Sequence, residues 1–103
     1  MEMVTEGPVL ALAGDFDGRS TLEVRTALYE LLSTSDASEV VVDLTDVRSA
    51  DVSALKVLAV ASLAAGRQGR HVRLRGCAPA VRRLLHLSRL IRVVEVERAA
   101  VSA

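Results

Sequence analysis

The first residues to weigh are those whose types and spacing could support chemistry. Asp15 and Asp17 flank Phe16, and Asp43 and Asp46 lie three apart. Paired carboxylates do acid–base work when a sugar site or metal pattern accompanies them, and neither is present, so these are ordinary loop acids. His71 and His86 lack metal-ligand spacing, and Cys77 is the only cysteine. That excludes an intramolecular disulfide and a cysteine-rich zinc site. Cys77 follows Gly76 just after a strand pattern, where a packed structural thiol is the expectation. Neither G-x-G-x-x-G nor G-x-x-x-x-G-K-[ST] occurs, and no nucleophile elbow is present. None of these residues is expected to be catalytic, and no metal or cofactor is expected.

One polar cluster has a definite local task. Asp51 precedes an apolar helical run and suits its N-cap, since acids favour helix N-termini. Ser53 falls in the first turn, where a hydroxyl bonds locally. Ser53, Lys56, Val57 and Val60 then recur at i, i+3, i+4 and i+7, away from the Leu55, Leu58 and Leu63 stripe. Two valines on an outward face are either covered by a neighbouring helix or form a small apolar patch rimmed by Lys56 and Ser53; the patch is the functional reading. Val57 and Val60 are therefore expected to be at least partly exposed.

The elements that must position this cluster follow from periodicity. Residues 1–5 alternate weakly, as an edge strand does, and Glu6-Gly7-Pro8 signals a turn. Residues 9–13 form a short apolar run ended by Gly14, a buried strand, with a polar loop at 15–19. Ser20 with Glu23 forms a capping box, and Val24, Leu28, Leu31 and Leu32 mark the inward face of a first helix ending at 33–36. Val40-Val41-Val42 within residues 39–44 predicts a strand buried on both faces, followed by a loop at 45–50. A second helix is expected over 53–65, with Leu55, Leu58, Ala59, Ser62 and Leu63 inward and Gly66 at its C-cap. Residues 71–75 alternate as a strand. Pro79 starts a third helix with Val81, Leu84, Leu85 and Ser88 on one face, and residues 92–96 form the last strand. The tail from Arg98 has little to hold it. The order β–β–α–β–α–β–α–β predicts an α/β fold: a mixed, mostly parallel sheet of about five strands with three or four helices and right-handed crossovers.

With 103 residues there is room for one domain and no second core, so residues 1–103 are expected to be a single domain. Half the residues are apolar, and Phe16 and Tyr29 are the only aromatics, which argues against a base-stacking nucleic-acid platform. No apolar run is long enough to span a bilayer, because Lys56 interrupts the longest candidate. No signal peptide is recognisable, and a cytoplasmic location is expected. Thirteen bases balance thirteen acids, yet residues 1–65 carry four bases against eleven carboxylates and residues 66–103 nine against two. The simplest expectation is that the two halves neutralise each other in the fold; a dipolar chain can also steer a charged partner. Arg82, Arg83, Arg89 and Arg92 could touch DNA phosphates, but no helix-turn-helix signal accompanies them.

One segment carries more than this. Val40-Val41-Val42-Asp43-Leu44-Thr45-Asp46-Val47-Arg48-Ser49-Ala50-Asp51-Val52-Ser53-Ala54-Leu55 resembles the signature of STAS domains, and more narrowly of bacterial anti-sigma factor antagonists. Leu12-Ala13-Gly14-Asp15-Phe16-Asp17 resembles that family's Gly-x-x-Asp after the second strand. Gly76-Cys77-Ala78-Pro79-Ala80-Val81-Arg82-Arg83-Leu84-Leu85 resembles its Pro-x-Val-x-Arg-x-Leu segment.

The resemblance implies a STAS-like fold and a protein–protein switch in transcription, not an enzyme. An antagonist of this kind binds an anti-sigma factor, often a serine kinase, and so frees a sigma factor; no nucleic acid or membrane partner is implied. Partner binding would then involve Asp17, Asp51, Val52, Ser53, Lys56, Val57 and Val60. The departure is at the switch. The family's phosphate acceptor directly follows the aspartate, and here that position is Val52, with Ser53 one place on and Ala54 for the usual glycine. Ser53 is then a shifted acceptor, the protein a permanently active antagonist, or the chain a STAS accessory or adaptor subunit of a transporter or signalling complex. Family members often carry a further C-terminal helix, for which residues 99–103 leave too little chain.

Overall fold

Five strands form one sheet in the order β1-β2-β3-β4-β5 in the computed structural model, which describes residues 1–97. Strand β1 (Glu2–Glu6) runs antiparallel to β2 (Val9–Phe16), with Glu6 opposite Val9 across the Gly7-Pro8 turn. Strand β3 (Glu39–Ala50) lies parallel to β2, β4 (His71–Arg75) parallel to β3, and β5 (Glu95–Val96) parallel to β4. Among the described residues the α-helices are α1 (Thr21–Thr34), α2 (Val52–Gly66) and α3 (Pro79–Leu87). The mixed sheet and the element order are those the periodicity predicts. The expected tail from Arg98 lies outside the described residues.

Successive strands are neighbours, so right-handed crossovers carry the helices to one face of the sheet. Burial follows that parity. Leu10, Leu12, Phe16, Val40, Val42, Leu44, Val72 and Leu74 are fully buried, joined by Val24 and Leu28 of α1, Leu55 and Leu58 of α2, and Leu85 of α3. Val41, on the other face, is also buried, so the valine run is covered on both sides as expected. Beside it lies a charge ladder: Arg73 to Glu39 at 3.0 Å, Arg75 to Asp43 at 3.9 Å and to Glu97 at 3.3 Å, and His71 to Glu95 at 2.9 Å. The two oppositely charged halves of the chain meet here.

Several boundaries differ from the sequence expectation, each for a physical reason. Gly14 does not end its strand. Its φ of 105° admits an irregularity, and β2 continues to Phe16 against β3, which runs on to Ala50 where a loop was expected. Buried Phe16 and Val47 hold the extended pair in place. Leu63 points outward, because the inward stripe of α2 runs through Ala54, Leu55, Leu58, Ala59, Ala61 and Ala65. Gly66 is still helical, and positive φ is reached only at Gly69. The last strand is cut to Glu95–Val96. Arg89 ends α3 in the left-handed conformation, a single 3-10 turn at Leu90–Arg92 follows, and Val94 is buried.

The capping box at Ser20 does not form. Ser20 is only 5% exposed, and its hydroxyl donates to the Asp15 carbonyl at 3.0 Å instead of capping α1. Glu23 sits 3.5 Å from the N-terminal amine. The β4–α3 connection is steric: a Cβ on Gly76, whose φ is 71°, would run into the Thr45 hydroxyl and come within 3.0 Å of the Thr45 Cα.

Candidate functional site

The extension of β2 and β3 places two loops together at the C-terminal end of the sheet. Phe16 pairs with Ala50, so the polar turn after β2 meets the start of α2. The Asp51 N–H donates to the Phe16 carbonyl at 3.2 Å. Asp51 is the N-cap, as its position predicts, with extended backbone (φ −118°, ψ 169°). Its Oδ1 accepts from the Ala54 N–H at 2.9 Å and from the Ser53 hydroxyl at 2.8 Å. Its Oδ2 accepts from the Gly18 N–H at 3.2 Å. These donors, the Ala54 N–H foremost, then Ser53 and Gly18, hold the Asp51 carboxyl below the usual range, while nearby Asp17 opposes them. Asp17 is held low chiefly by the Arg19 side chain at 3.0 Å and also by the Arg19 N–H at 2.9 Å.

Ser53, Lys56, Val57 and Val60 come together as their spacing predicts. They line one wall of a groove of about 240 Å³, with Arg25 and Tyr29 of α1 as the other. Val60 is 55% exposed and Val57 half-buried. The Arg25 guanidinium lies 5.9 Å from the centroid of the Tyr29 ring, within cation–π range. Exposed Leu22 continues this wall along α1. Sequence reasoning missed Leu22, Arg25 and Tyr29. The available signal was their 0, 3, 7 spacing, out of phase with the buried Val24, Leu28 and Leu31.

Two other site candidates sit apart from the groove. Val52 is half-buried in the first turn of α2 and carries no hydroxyl. Asp17 lines a separate open cleft of about 670 Å³ with Asp15, Glu23, Asp46, Arg19 and Arg48. Gly18 links that cleft to Asp51. Elsewhere, Cys77 is half-buried, and burial pushes its thiol up, away from reactive thiolate. Among the described residues no three histidine, cysteine or carboxylate side chains are grouped to hold a metal, and no helix is long and apolar enough to cross a membrane. What the site offers is a shape and a charge pattern: an apolar groove with cations on both walls, ending at a fully hydrogen-bonded aspartate.

This geometry matches a known architecture. Residues 1–95 match the family described as "Mlab, STAS domain". The chain belongs to the STAS domain family. Solved structures share the fold. An anti-sigma factor antagonist from Mycobacterium paratuberculosis superposes with a TM-score of 0.79 at 20% identity, covering 96% of this chain and 85% of that one. The anti-sigma factor antagonist SpoIIAA in its unphosphorylated form gives 0.74 at 13% identity, covering 94% and 87%. Phosphorylated SpoIIAA, a Bacillus cell fate determinant, gives 0.67 at 12% identity, covering 94% and 90%. No curated protein matches.

Proposed function

We propose that this protein is a single-domain, non-enzymatic antagonist of an anti-sigma factor. It docks its partner, of serine-kinase type, through the α1–α2 groove and the start of α2, and so frees a sigma factor for transcription in the cytoplasm. The observation that carries the reading is the groove itself. The apolar part of its α2 wall, Val57 and Val60, runs to Ser53 and so to the Asp51–Ser53 turn, the segment that resembles the antagonist signature. Asp17 reaches this turn through Gly18. Calorimetry against the anti-sigma factors of the host tests the reading. Val60→Asp should abolish binding while barely moving the melting temperature, because an exposed position imposes little desolvation. A large loss of stability, or unchanged affinity, removes the groove from the interface. Ser53→Asp should weaken binding by about 1–3 kcal/mol, since it sets a second carboxylate beside Asp51 in a drying contact.

The switch works differently here from the family pattern. Val52 cannot accept phosphate, and the Ser53 hydroxyl already donates to Asp51 at 2.8 Å. A phosphate on Ser53 would lose that bond and bring close to two negative charges against a carboxylate. Intact mass after incubation with kinase and ATP should therefore show no stoichiometric phosphate, and Val52→Ser should create a substrate. Full modification of Ser53 in the parent chain would reverse this conclusion. The same valine favours a second reading, a STAS adaptor or accessory subunit of a transporter or signalling complex, in which association is never switched off. Recovery of a transporter ATPase as the tight, stoichiometric partner would select it.

A further inference from the structure

Residues 52–94 contain nine lysines and arginines, two histidines and no carboxylate. The fold neutralises part of this charge. Arg73 and Arg75 pair with acids across the sheet, Arg70 bonds carbonyls at the end of α1, and the Arg82 guanidinium donates to the Glu97 carbonyl at 3.2 Å. Arg67, Arg83, Arg89 and Arg92 make no ion pair among the described residues. Arg83, Arg89 and Arg92 follow one another along α3 and the turn after it, and Arg67 lies at the end of α2. Val81 and Leu85 turn inward, so Arg83, His86 and Leu87 form the outer face of α3. Arg89 and Arg92 follow in the turn that closes it. A groove shared by Leu63 and Arg67 of α2 with Val93 and Glu95 brings the end of α2 beside that turn. The acid in this groove, Glu95, is engaged by His71 at 2.9 Å.

Among these cations stand exposed leucines. Leu87 is 75% exposed, and Leu63 is 54% exposed. Polyanion binding explains the arginines but not Leu87, which a phosphate backbone would cover without gain. A bilayer interface uses both features: arginines remain with anionic headgroups while leucine enters the acyl boundary. We propose that the outer face of α3 and the following turn, Arg83, His86, Leu87, Arg89 and Arg92, with Arg67 beside them, is a docking surface for an anionic lipid bilayer. The protein lies on the membrane there and does not span it. The cleft lined by Asp15, Asp17 and Asp46, with Arg19 and Arg48, lies beside β2, toward the other edge of the sheet from β5.

Flotation of the full chain with two kinds of vesicle, phosphatidylcholine alone and phosphatidylcholine mixed with phosphatidylglycerol, tests this. Binding is expected to the anionic vesicles only and should fall as salt rises above about 0.15 M. Arg83→Gln, Arg92→Gln and Arg89→Gly should each lower the partition coefficient about fivefold. Arg89→Gly also serves as a folding control, since glycine suits the left-handed φ of 65° at that residue. Leu87→Ala should lower vesicle binding several-fold with the fold intact by circular dichroism. Equal binding to neutral vesicles, no binding to either, or indifference to the arginine variants overturns the proposal. So does duplex DNA that binds through the same arginines while Leu87→Ala changes nothing. Val60→Asp should float like the parent chain even where it has lost its protein partner; loss of flotation in that variant would also overturn the assignment to α3.

Discussion

Two helices begin on either side of the Gly18–Asp51 hydrogen bond, and they begin in opposite ways. At α2 the aspartate before the helix does what an N-cap does, taking the Ala54 N–H, the Ser53 hydroxyl and, from across the turn, the Gly18 N–H. At α1 the serine before the helix turns away from it. Ser20 is buried and its hydroxyl donates to the Asp15 backbone carbonyl, while Glu23 reaches toward the N-terminus. Both starts carry capping signals in the sequence. The difference is solvent. Asp51 stands at the exposed edge, where a charged cap is stable. Ser20 is pressed beneath the extended β2 strand, where the nearest buried acceptor, a backbone carbonyl, must be satisfied first. A capping pattern is thus a statement about available partners, and tertiary structure chooses among them.

The largest expected effect inverts the sequence logic. Aspartate is as good an N-cap as serine by propensity. Ser20→Asp should nevertheless destabilise the protein by about 3 kcal/mol, because it buries a carboxylate facing the Asp15 carbonyl. Urea unfolding measures this, and an increase in stability would mean that α1 can be capped after all. Next in size, Asp51→Ala should cost about 1–2 kcal/mol, as a lost cap does. Asp51→Ser should cost less. The same site predicts a pH dependence. The folded-state pKa of Asp51 is lowered, so its contribution is complete above the unfolded value of about 3.9 and is lost as pH falls through the lower folded value. Asp51→Asn should flatten that part of the acid limb, and an unchanged limb would assign it to other carboxylates. The smallest effect sharpens the contrast from the α1 side. Glu23→Gln should change stability by no more than about 0.5 kcal/mol, since it breaks only an exposed contact to the N-terminal amine. A loss near that of Asp51→Ala would show that Glu23 takes part in capping.

The amino-acid sequence by itself determined the order of elements, the antiparallel first strand, the buried valine run and the start of α2 at Asp51. Each is legible because it depends on neighbours in the chain: a turn at Gly7-Pro8, a period of two or of 3.6, an acid ahead of an apolar helix. The patch of Ser53, Lys56, Val57 and Val60 was legible for the same reason, as one face of one helix. Only the tertiary structure decided the features that two distant segments share. Gly14 continues a strand because β3 lies alongside to receive it, Gly76 must lack a side chain because Thr45 is in the way, and Leu63 faces outward because a stripe of alanines on α2 turns inward. Arg70 looks like one more base in a basic stretch, yet its guanidinium closes the end of α1 by donating to the carbonyls of Leu32, Ser35 and Ala37. Arg25 and Tyr29 become the second wall of the groove only when α1 comes to rest against α2. Local pattern fixes which face of an element is apolar; what lies opposite that face depends on how the chain returns, and no window of neighbouring residues contains that information.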